Sequence, residues 1–313
     1  MSALMLSRFA RYFDVVARTG SVRRAAEQLH IASSAISRQL AIAEQELGVP
    51  LFERLPDGMR LTAAGELLIH RIRNWQQEQV RLLTQIDELR GVRRGEVHIG
   101  IPHDAVGSVL PTALAVFLAQ HPGIGFQVTN ASSNEIWNMV AQNEIDIGLG
   151  FNPERSSALR VAKEIGSRLG VIVPPHHALA SWSSVKFEEC RNHPLIMPSA
   201  RLSLRQGIDR TLANLRVELR PVLQASSPGI IKSLISQNVG VGLLTSIDVL
   251  GEVRLGELVY VPLAHREVPV SYLSLVVSAG RQLSTAAALV VQHLSEMLDA
   301  AAVEMTARPV AHQ

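Results

Sequence analysis

The sequence predicts an α/β protein in two unlike parts: an all-α N-terminal unit extended by a long helix, then a larger region of alternating strands and helices in two lobes. Three observations predict it. Apolar residues recur at steps of three and four as far as about residue 90, the spacing of buried helix faces. From Glu96 onward short apolar runs alternate with helical stripes, as in sheets covered by helices. The charge divides at the same place: residues 1–94 hold fourteen Arg and ten acids, a balance of +4, whereas residues 95–313 hold sixteen bases and eighteen acids, a balance of −2.

Three stripes open the first part: Phe9, Tyr12, Phe13, Val16; then Val22, Ala25, Ala26, Leu29; then Ile36, Leu40, Ala43, Leu47. Each buries one face of a helix. Gly20 ends the first helix, Ser21 caps the second, and Gly48 before Val49-Pro50 ends the third. Only His30, Ile31 and Ala32 separate the second and third helices, which forces the sharp bend of a helix-turn-helix. Leu51 to Arg54, the turn Leu55-Pro56-Asp57-Gly58 and Met59 to Leu61 then read as a two-stranded wing, completing a winged helix-turn-helix over residues 1–62.

With its apolar stripe turned inward, the third helix presents Ser34, Ser37, Arg38, Ala41 and Gln45 outward, with Ser33 at its N-terminal end. That face suits the major groove of double-stranded DNA: short hydroxyls allow close approach, and Arg38 reaches a guanine edge or a phosphate. The candidate DNA contacts are Ser21, Arg23, Ser33, Ser34, Ser37 and Arg38, with Arg54 and Arg60 of the wing on phosphates. A solvated face of a helical bundle is the alternative, disfavoured because the adjoining segment also fits a wing. All fourteen bases of this part are Arg, which favours forked contacts, although a GC-rich genome produces the same bias.

Thr62 caps a helix predicted over 63–90. Its seam, Leu68, Ile72, Trp75, Gln79, Leu82, Ile86 and Leu89, runs in alternating steps of four and three through three heptads. A seam of that length exceeds what the small winged unit can cover, so the predicted partner is the same helix of a second subunit, with Gln79 fixing register. Packing of the helix on its own chain is the alternative. Gly91 to Gly95 form a hinge into residues 91–313.

That region reads as strand 96–101, helix 110–120, strand 125–129, helix 135–142 and strand 145–149, then strands 170–173 and 195–197, helices 204–215 and 229–237 and strand 240–244. Strand 271–278 and helix 284–302 return to the first set. Two crossovers near residues 159 and 268 would divide it into lobe 1, about 95–158 and 268–302, and lobe 2, about 159–267.

These residues resemble the LysR-type transcriptional regulators of bacteria. The matching pieces are Arg11-Tyr12-Phe13, Gly20-Ser21-Val22 with Ala25-Ala26, Ala35 to Leu40, Glu46 to Arg54 and Leu61 to Gly65. Further on they are Leu110-Pro111, Phe117 with His121-Pro122, Glu144 to Gly148, Val173-Pro174 with His177, and Gln237 to Leu244. The chain departs from the family where Ser-Gln-Pro usually opens the recognition helix and Ala32-Ser33-Ser34 stand instead, which passes the base contacts to Ser33 and Ser34. The resemblance implies a periplasmic-binding-protein-like second region with a small-molecule effector, an organic acid, between its lobes. It further implies a homodimer that pairs into a tetramer, binding to an inverted repeat upstream of a promoter, and contact with RNA polymerase.

Effector residues belong in loops at the carboxyl ends of parallel strands, where helix N-termini point amides at an anion. The segments are Pro102-His103-Asp104, Ala131 to Asn134, Gly150-Phe151-Asn152, Pro198 to Ser203, and Thr245. Ser199, Arg201 and Ser203 are assigned to a carboxylate, His103 and Asp104 to a polar group at the other end, with Ser132, Phe151 and Thr245 completing the set. Alternatively Ser132 and Ser203 only cap helices, His103 and Asp104 are solvated turn residues, and Arg201 lies on an outer face.

Enzymatic motifs are missing: no Gly-x-Ser-x-Gly elbow, Walker loop, complete Gly-x-Gly-x-x-Gly or paired-histidine metal helix occurs, and His176-His177 reads as a turn. No catalytic residue, metal or cofactor is expected. Cys190 is the single cysteine, so no intrachain disulfide forms and a reducing compartment fits. Arg8, Arg11 and Asp14 interrupt the N-terminal apolar pattern of a signal peptide, and no run of eighteen apolar residues occurs, so a cytoplasmic protein without a membrane span is expected. The rival class, an architectural DNA-binding protein, has no use for a cleft.

Overall fold

The computed structural model describes residues 8–55, 58–89, 95–102, 109–200, 202–265 and 267–306. The chain divides near residue 92 into two compact units.

In the first unit α1 (Arg8–Thr19), α2 (Val22–Leu29) and α3 (Ser33–Leu47) precede strands β1 (Phe52–Leu55) and β2 (Gly58–Leu61) and the long helix α4 (Ala63–Leu89). The predicted punctuation is present. Gly20 and Gly48 adopt φ of 62° and 70°, and Ser21 Oγ accepts the Arg24 N–H at 3.4 Å. β1 and β2 pair antiparallel from Phe52↔Leu61 to Leu55↔Gly58. The wing is tied to the end of α1: Met59 N–H donates to Gly20 C=O at 2.8 Å, and a Cβ on Gly58 (φ 148°) would stand 2.6 Å from that same oxygen. Only glycine allows the approach.

Phe9, Phe13, Val16, Ala25, Ala26, Ile36, Leu40 and Ala43 form the core as their stripes require, joined by Leu51, Phe52, Ile69 and Ile72. Leu47 departs from expectation. It is 50% exposed, because Leu51 and Phe52 close that end of the core after Gly48 has turned the chain. Glu44 fixes the turn, its Oε1 accepting Leu51 N–H at 2.7 Å and Phe52 N–H at 3.3 Å. Thr62 caps α4, accepting Gly65 N–H at 3.1 Å while its hydroxyl donates to Pro50 C=O at 2.7 Å. The 27 residues of α4 extend about 40 Å. Its first turns are docked on the winged fold by Ile69 and Ile72 and by Arg73 Nε, which donates to Asp14 Oδ1 at 2.9 Å.

The second unit contains two five-stranded sheets. The first holds β3 (Gly95–Ile101), β4 (Ile124–Asn130), β5 (Ile147–Phe151), β6 (Leu159–Ser167) and β12 (Ser271–Ser278) in the order β4-β3-β5-β12-β6. The second holds β7 (Leu169–Val173), β8 (Leu195–Pro198), β9 (Leu223–Ala225), β10 (Val241–Thr245) and β11 (Val259–Pro262) in the order β9-β8-β10-β7-β11. Both follow one plan. Three parallel strands in the order second, first, third are flanked by two strands added antiparallel. Helices α5 (Val109–Gln120) and α6 (Ser133–Ala141) connect the parallel strands of lobe 1, and α7 (Ser203–Leu215) and α8 (Pro228–Ser236) those of lobe 2, so α6 and α8 are equivalent.

The crossover lies later than the sequence suggests. β6 pairs along its length with β12 and belongs to lobe 1, so the chain changes lobe at Arg168 rather than near 159. Edge position explains why β6 carries no clear strand signal: exposed on much of its surface, it mixes Arg160, Lys163 and Glu164 into an irregular pattern. Helix α10 (Thr285–Thr306) covers lobe 1 with the stripe Ala286, Ala287, Val290, Leu294, Leu298 and Ala301. By length and composition α10 is apolar enough to span a membrane, but this stripe is spent in the core. The lobes meet at the crossover, where Ile247 and Leu250 from the segment after β10 enter the lobe 1 core and Ile247 N–H donates to Ser167 Oγ at 3.0 Å. Helix α9 (Leu250–Arg254) joins α10 through a two-pronged Arg254–Glu304 ion pair.

Candidate functional site

Two features of the described surface have the construction of sites. The first is the outer face of α3. Ile36, Leu40 and Ala43 point inward, and Ser33, Ser34, Ser37, Arg38, Ala41 and Gln45 are all exposed. The N-cap of α3 is Ala32, which has no side-chain oxygen, so the amides of Ser33 and Ser34 lack a side-chain cap, while Ala35 N–H donates to Ala32 C=O at 3.0 Å. Arg54 and Arg60 are exposed on the wing. Arg60 donates to Glu53 Oε2 at 3.1 Å and Arg23 to Glu27 Oε1 at 3.2 Å, solvent-exposed pairs that cost at most about 1 kcal/mol to exchange for a phosphate. Ser21 is half-buried and serves as the cap of α2.

The second feature is a cavity of about 770 Å³ in the second unit, at the carboxyl ends of the parallel strands of both sheets. Lobe 1 contributes Pro102, Ala131 to Asn134 and Phe151-Asn152; lobe 2 contributes Ala200, Leu202, Ser226-Ser227-Pro228, Thr245 and Asp248. Each lobe brings one equivalent helix N-terminus to this space. At α6, Ser132 Oγ accepts Glu135 N–H at 3.4 Å while Glu135 Oε2 accepts Ser132 N–H at 2.8 Å, a capping box, and the Ser132 hydroxyl donates to the same carboxylate at 2.6 Å. At α8, Ser227 Oγ accepts Ile230 N–H at 3.3 Å, with Pro228 in the first turn.

Of the residues singled out from sequence, Ser132, Phe151 and Thr245 line the cavity. Ser132 is at the same time a helix cap, and Thr245 Oγ1–H donates to Asp248 Oδ2 at 2.7 Å. Ser199 is not a lining residue: its N–H donates to Ala225 C=O at 2.8 Å, extending the β8–β9 ladder. His103, Asp104 and Arg201 lie outside the described residues, as does the side chain of Ser203, whose backbone begins α7. Asn134 and Asn152 line it from segments the sequence points to, whereas Ser226, Ser227 and Asp248 lie outside those segments. Ser226-Ser227-Pro228 carried a legible signal, a hydroxyl cap before proline. Asp248 carried none, since only the turn after β10 brings it to the cleft.

Asp248 is 5% exposed, and burial pushes its carboxyl up to about 6 against the pull of two Thr245 hydrogen bonds and Lys232. Cys190 is enclosed in the lobe 2 core, where burial pushes its thiol up to about 12 and leaves it an inert hydrophobe. His177 makes a turn as expected, its Nδ1 accepting Leu179 N–H at 3.2 Å, and burial lowers its pKa, helped by His193 and His176.

On the α4 seam, Ile72 is fully buried and Leu68 packs beside it, both against the winged fold. Ile72 is therefore used within the chain rather than held for a partner, while half-buried Leu68 keeps part of its surface exposed. Trp75 is half-buried, Gln79 is exposed, and the side chains of Leu82, Ile86 and Leu89 lie outside the described residues.

A winged helix-turn-helix with an open recognition face, followed by a two-lobed unit with a polar cleft, defines a ligand-responsive DNA-binding regulator. Residues 8–66 match the family of bacterial regulatory helix-turn-helix proteins of the lysR type, and residues 90–299 match the LysR substrate binding domain. The chain belongs to the LysR family of transcriptional regulators, which are not enzymes. It is 28% identical over 235 residues to the RuBisCO operon transcriptional regulator of Allochromatium vinosum, covering 75% of this chain and 78% of that one. It is 24% identical over 290 residues to the HTH-type regulator YybE of Bacillus subtilis, covering 91% and 98%. Among solved structures, full-length OxyR from Pseudomonas aeruginosa superposes with a TM-score of 0.68 at 17% identity over 95% of both chains. CbnR complexed with its target DNA gives 0.66 at 20% identity over 93% of this chain and 99% of that one.

Proposed function

We propose that this regulator reads an inverted-repeat operator with paired α3 helices and responds to a small polar effector, an organic acid, held in the 770 Å³ cavity. The observation that carries the reading is the convergence of two equivalent helix N-termini, α6 and α8, with their serine caps, on one cleft between two lobes. Partial positive charge at both ends favours an anionic group there. Arg38, Ser33, Ser34 and Ser37 contact bases, while Arg54, Arg60, Arg23 and Ser21 contact the backbone or position the motif. Ser132, Phe151 and Thr245 touch the effector, with Ser199, Arg201 and Ser203 kept as candidates for its carboxylate and His103 and Asp104 for a polar group at its other end. Trp75, Gln79, Leu82, Ile86 and Leu89 pair the subunits into a dimer, and dimers into a tetramer, in the cytoplasm. Effector binding at the lobe junction alters subunit geometry and so contact with operator and RNA polymerase. CbnR, of the same fold, is known in complex with its target DNA, which supports the DNA half of this reading.

A thermal-shift screen of small acids against the full chain tests the effector half. A ligand at a hundred times its dissociation constant adds roughly 2.7 kcal/mol to the second unit. An acid that stabilises Ser226→Trp, which introduces bulk at the cleft, as much as it stabilises the wild type would place binding elsewhere.

A further inference from the structure

Three charged side chains lie together behind the lobe 2 wall of the cleft: Asp248 in the turn after β10, Lys232 on α8 and Glu252 on α9. Lys232 Nζ donates to the Asp248 carbonyl oxygen at 3.0 Å and pairs with Glu252 Oε1 at 2.7 Å. Both Lys232 and Asp248 are buried. Glu252 holds the ion pair, and the ammonium meets Asp248 at its backbone carbonyl while acting on its carboxylate only through space. When both acids are ionised, the group carries one surplus negative charge with little water to solvate it, a costly state unless a positive group arrives.

Asp248 is the acid of this group that lines the cleft. Asp248 Oδ2 takes both donors of Thr245, N–H at 2.9 Å and Oγ1–H at 2.7 Å. Oδ1 receives no hydrogen bond from a described residue, yet it is not among the fully enclosed unsatisfied atoms, so it touches open space. The open space beside this nearly buried residue is the cavity it lines. Glu154, on the loop after β5, is a second carboxylate on the same lining, so it adds negative charge and supplies no cation. None of the described lining residues is basic, so among them an effector bearing only carboxylates would add its own charge to these two.

We propose that the cleft takes a zwitterion, a small α-amino-acid-type effector whose carboxylate lies at the N-termini of α6 and α8 and whose ammonium is bound by Asp248 Oδ1. This rests on the cavity being the effector site, and narrows the organic acid to one carrying an amine. Because the Asp248 carboxyl is pushed up to about 6, it is ionised at neutral pH and loses its hold on an ammonium below that value. Burial sets that value, with Thr245 on β10 and Lys232 on α8 pulling it down and Glu252 on α9 pushing it up.

The test uses the wild-type full chain near neutral pH, with the common L-α-amino acids and, beside each, its counterpart lacking the amine. At least one amino acid is expected to raise the melting temperature while its counterpart at equal concentration does not. By calorimetry, its affinity is expected to fall about tenfold or more in Asp248→Asn, whose amide oxygen can still accept from Thr245. Affinity of the wild type is also expected to fall as pH is lowered through about 6, with Asp248→Asn flat over the same range. Counterpart acids that bind as tightly as the amino acids overturn the zwitterion and leave the effector cleft standing. No shift with either set overturns both. The matched pairs are compared on the wild type, so misfolding of the variant cannot rescue the proposal.

Discussion

The recognition face and the effector cleft are built in opposite ways. All the side chains of the α3 face lie between Ser33 and Gln45 on one helix, and their positions follow from which face that helix buries. The cleft draws on segments scattered from Pro102 to Ser271, on two sheets, and includes a carboxylate whose environment is made by α8 and α9. The α3 face needs only a folded helix beneath it, whereas the cleft needs every segment placed. Substitution effects are therefore expected to be local and separable in the first unit and coupled in the second.

The largest expected effect breaks the first unit alone. Ile72→Asp places an unpaired charge in a fully buried position among Ile69, Phe13 and their neighbours, and is expected to cost about 4 kcal/mol or more. Differential scanning calorimetry should show the first unit's transition lost or far lowered, with that of the second unit retained. If Ile72→Asp instead keeps both transitions and only lightens the assembly in sedimentation, the assignment of Ile72 to the winged core fails. Ile86→Asp is the contrast. It is expected to weaken the dimer while both transitions persist.

Next comes the pH dependence of the second unit. The Asp248 carboxyl has a folded pKa of about 6 against an ordinary 3.8, so between those values the unfolded chain releases its proton first. Stability from this group is full below about pH 4, falls as pH rises to about 6 and stays lowered above it, by at most about 3 kcal/mol. Urea unfolding of wild type and Asp248→Asn across that range is expected to give a difference that grows with pH in favour of Asn. A constant difference would mean that Asp248 is not shifted.

Arg38→Ala is expected to weaken operator binding by about 1 to 3 kcal/mol in a gel-shift titration, with melting unchanged because the side chain is exposed. Loss of melting temperature alongside affinity would contradict the independence of the α3 face. The smallest effect sharpens the other side of the comparison. Ser132→Ala removes the reciprocal cap of α6 and is expected to cost about 1 kcal/mol of second-unit stability even without ligand. An unchanged apo protein with weaker effector binding would instead make Ser132 purely a ligand contact.

Much of the architecture was legible in the residues. The strand Ser271–Ser278 and the helices of the winged unit stand where periodicity and caps put them, since each signal is local. The elements that escaped are short, edge-bound or mixed in polarity. β9 spans three residues, β11 four, and β6 interleaves charge with apolar positions, so none presents a period long enough to read. Leu47 and Ile72 show the same limit from the packing side. A stripe states that a residue is apolar on one face, but not whether the core reaches that far or which core receives it.

What the sequence determined by itself was a winged helix-turn-helix with an arginine-bearing outer helix face, a long helix, and an α/β region that doubles back on itself. Helix periods, caps and turn residues are encoded within a few positions of one another, so they survive reading in one dimension. Only the tertiary structure decided that Ser199 serves the β8–β9 ladder, that Ser226 and Ser227 enter the cleft, and that Asp248 lies beside it with Lys232 already committed to Glu252. A cleft is defined by which strand ends meet and a buried charge by what surrounds it, and both depend on residues far apart in the chain.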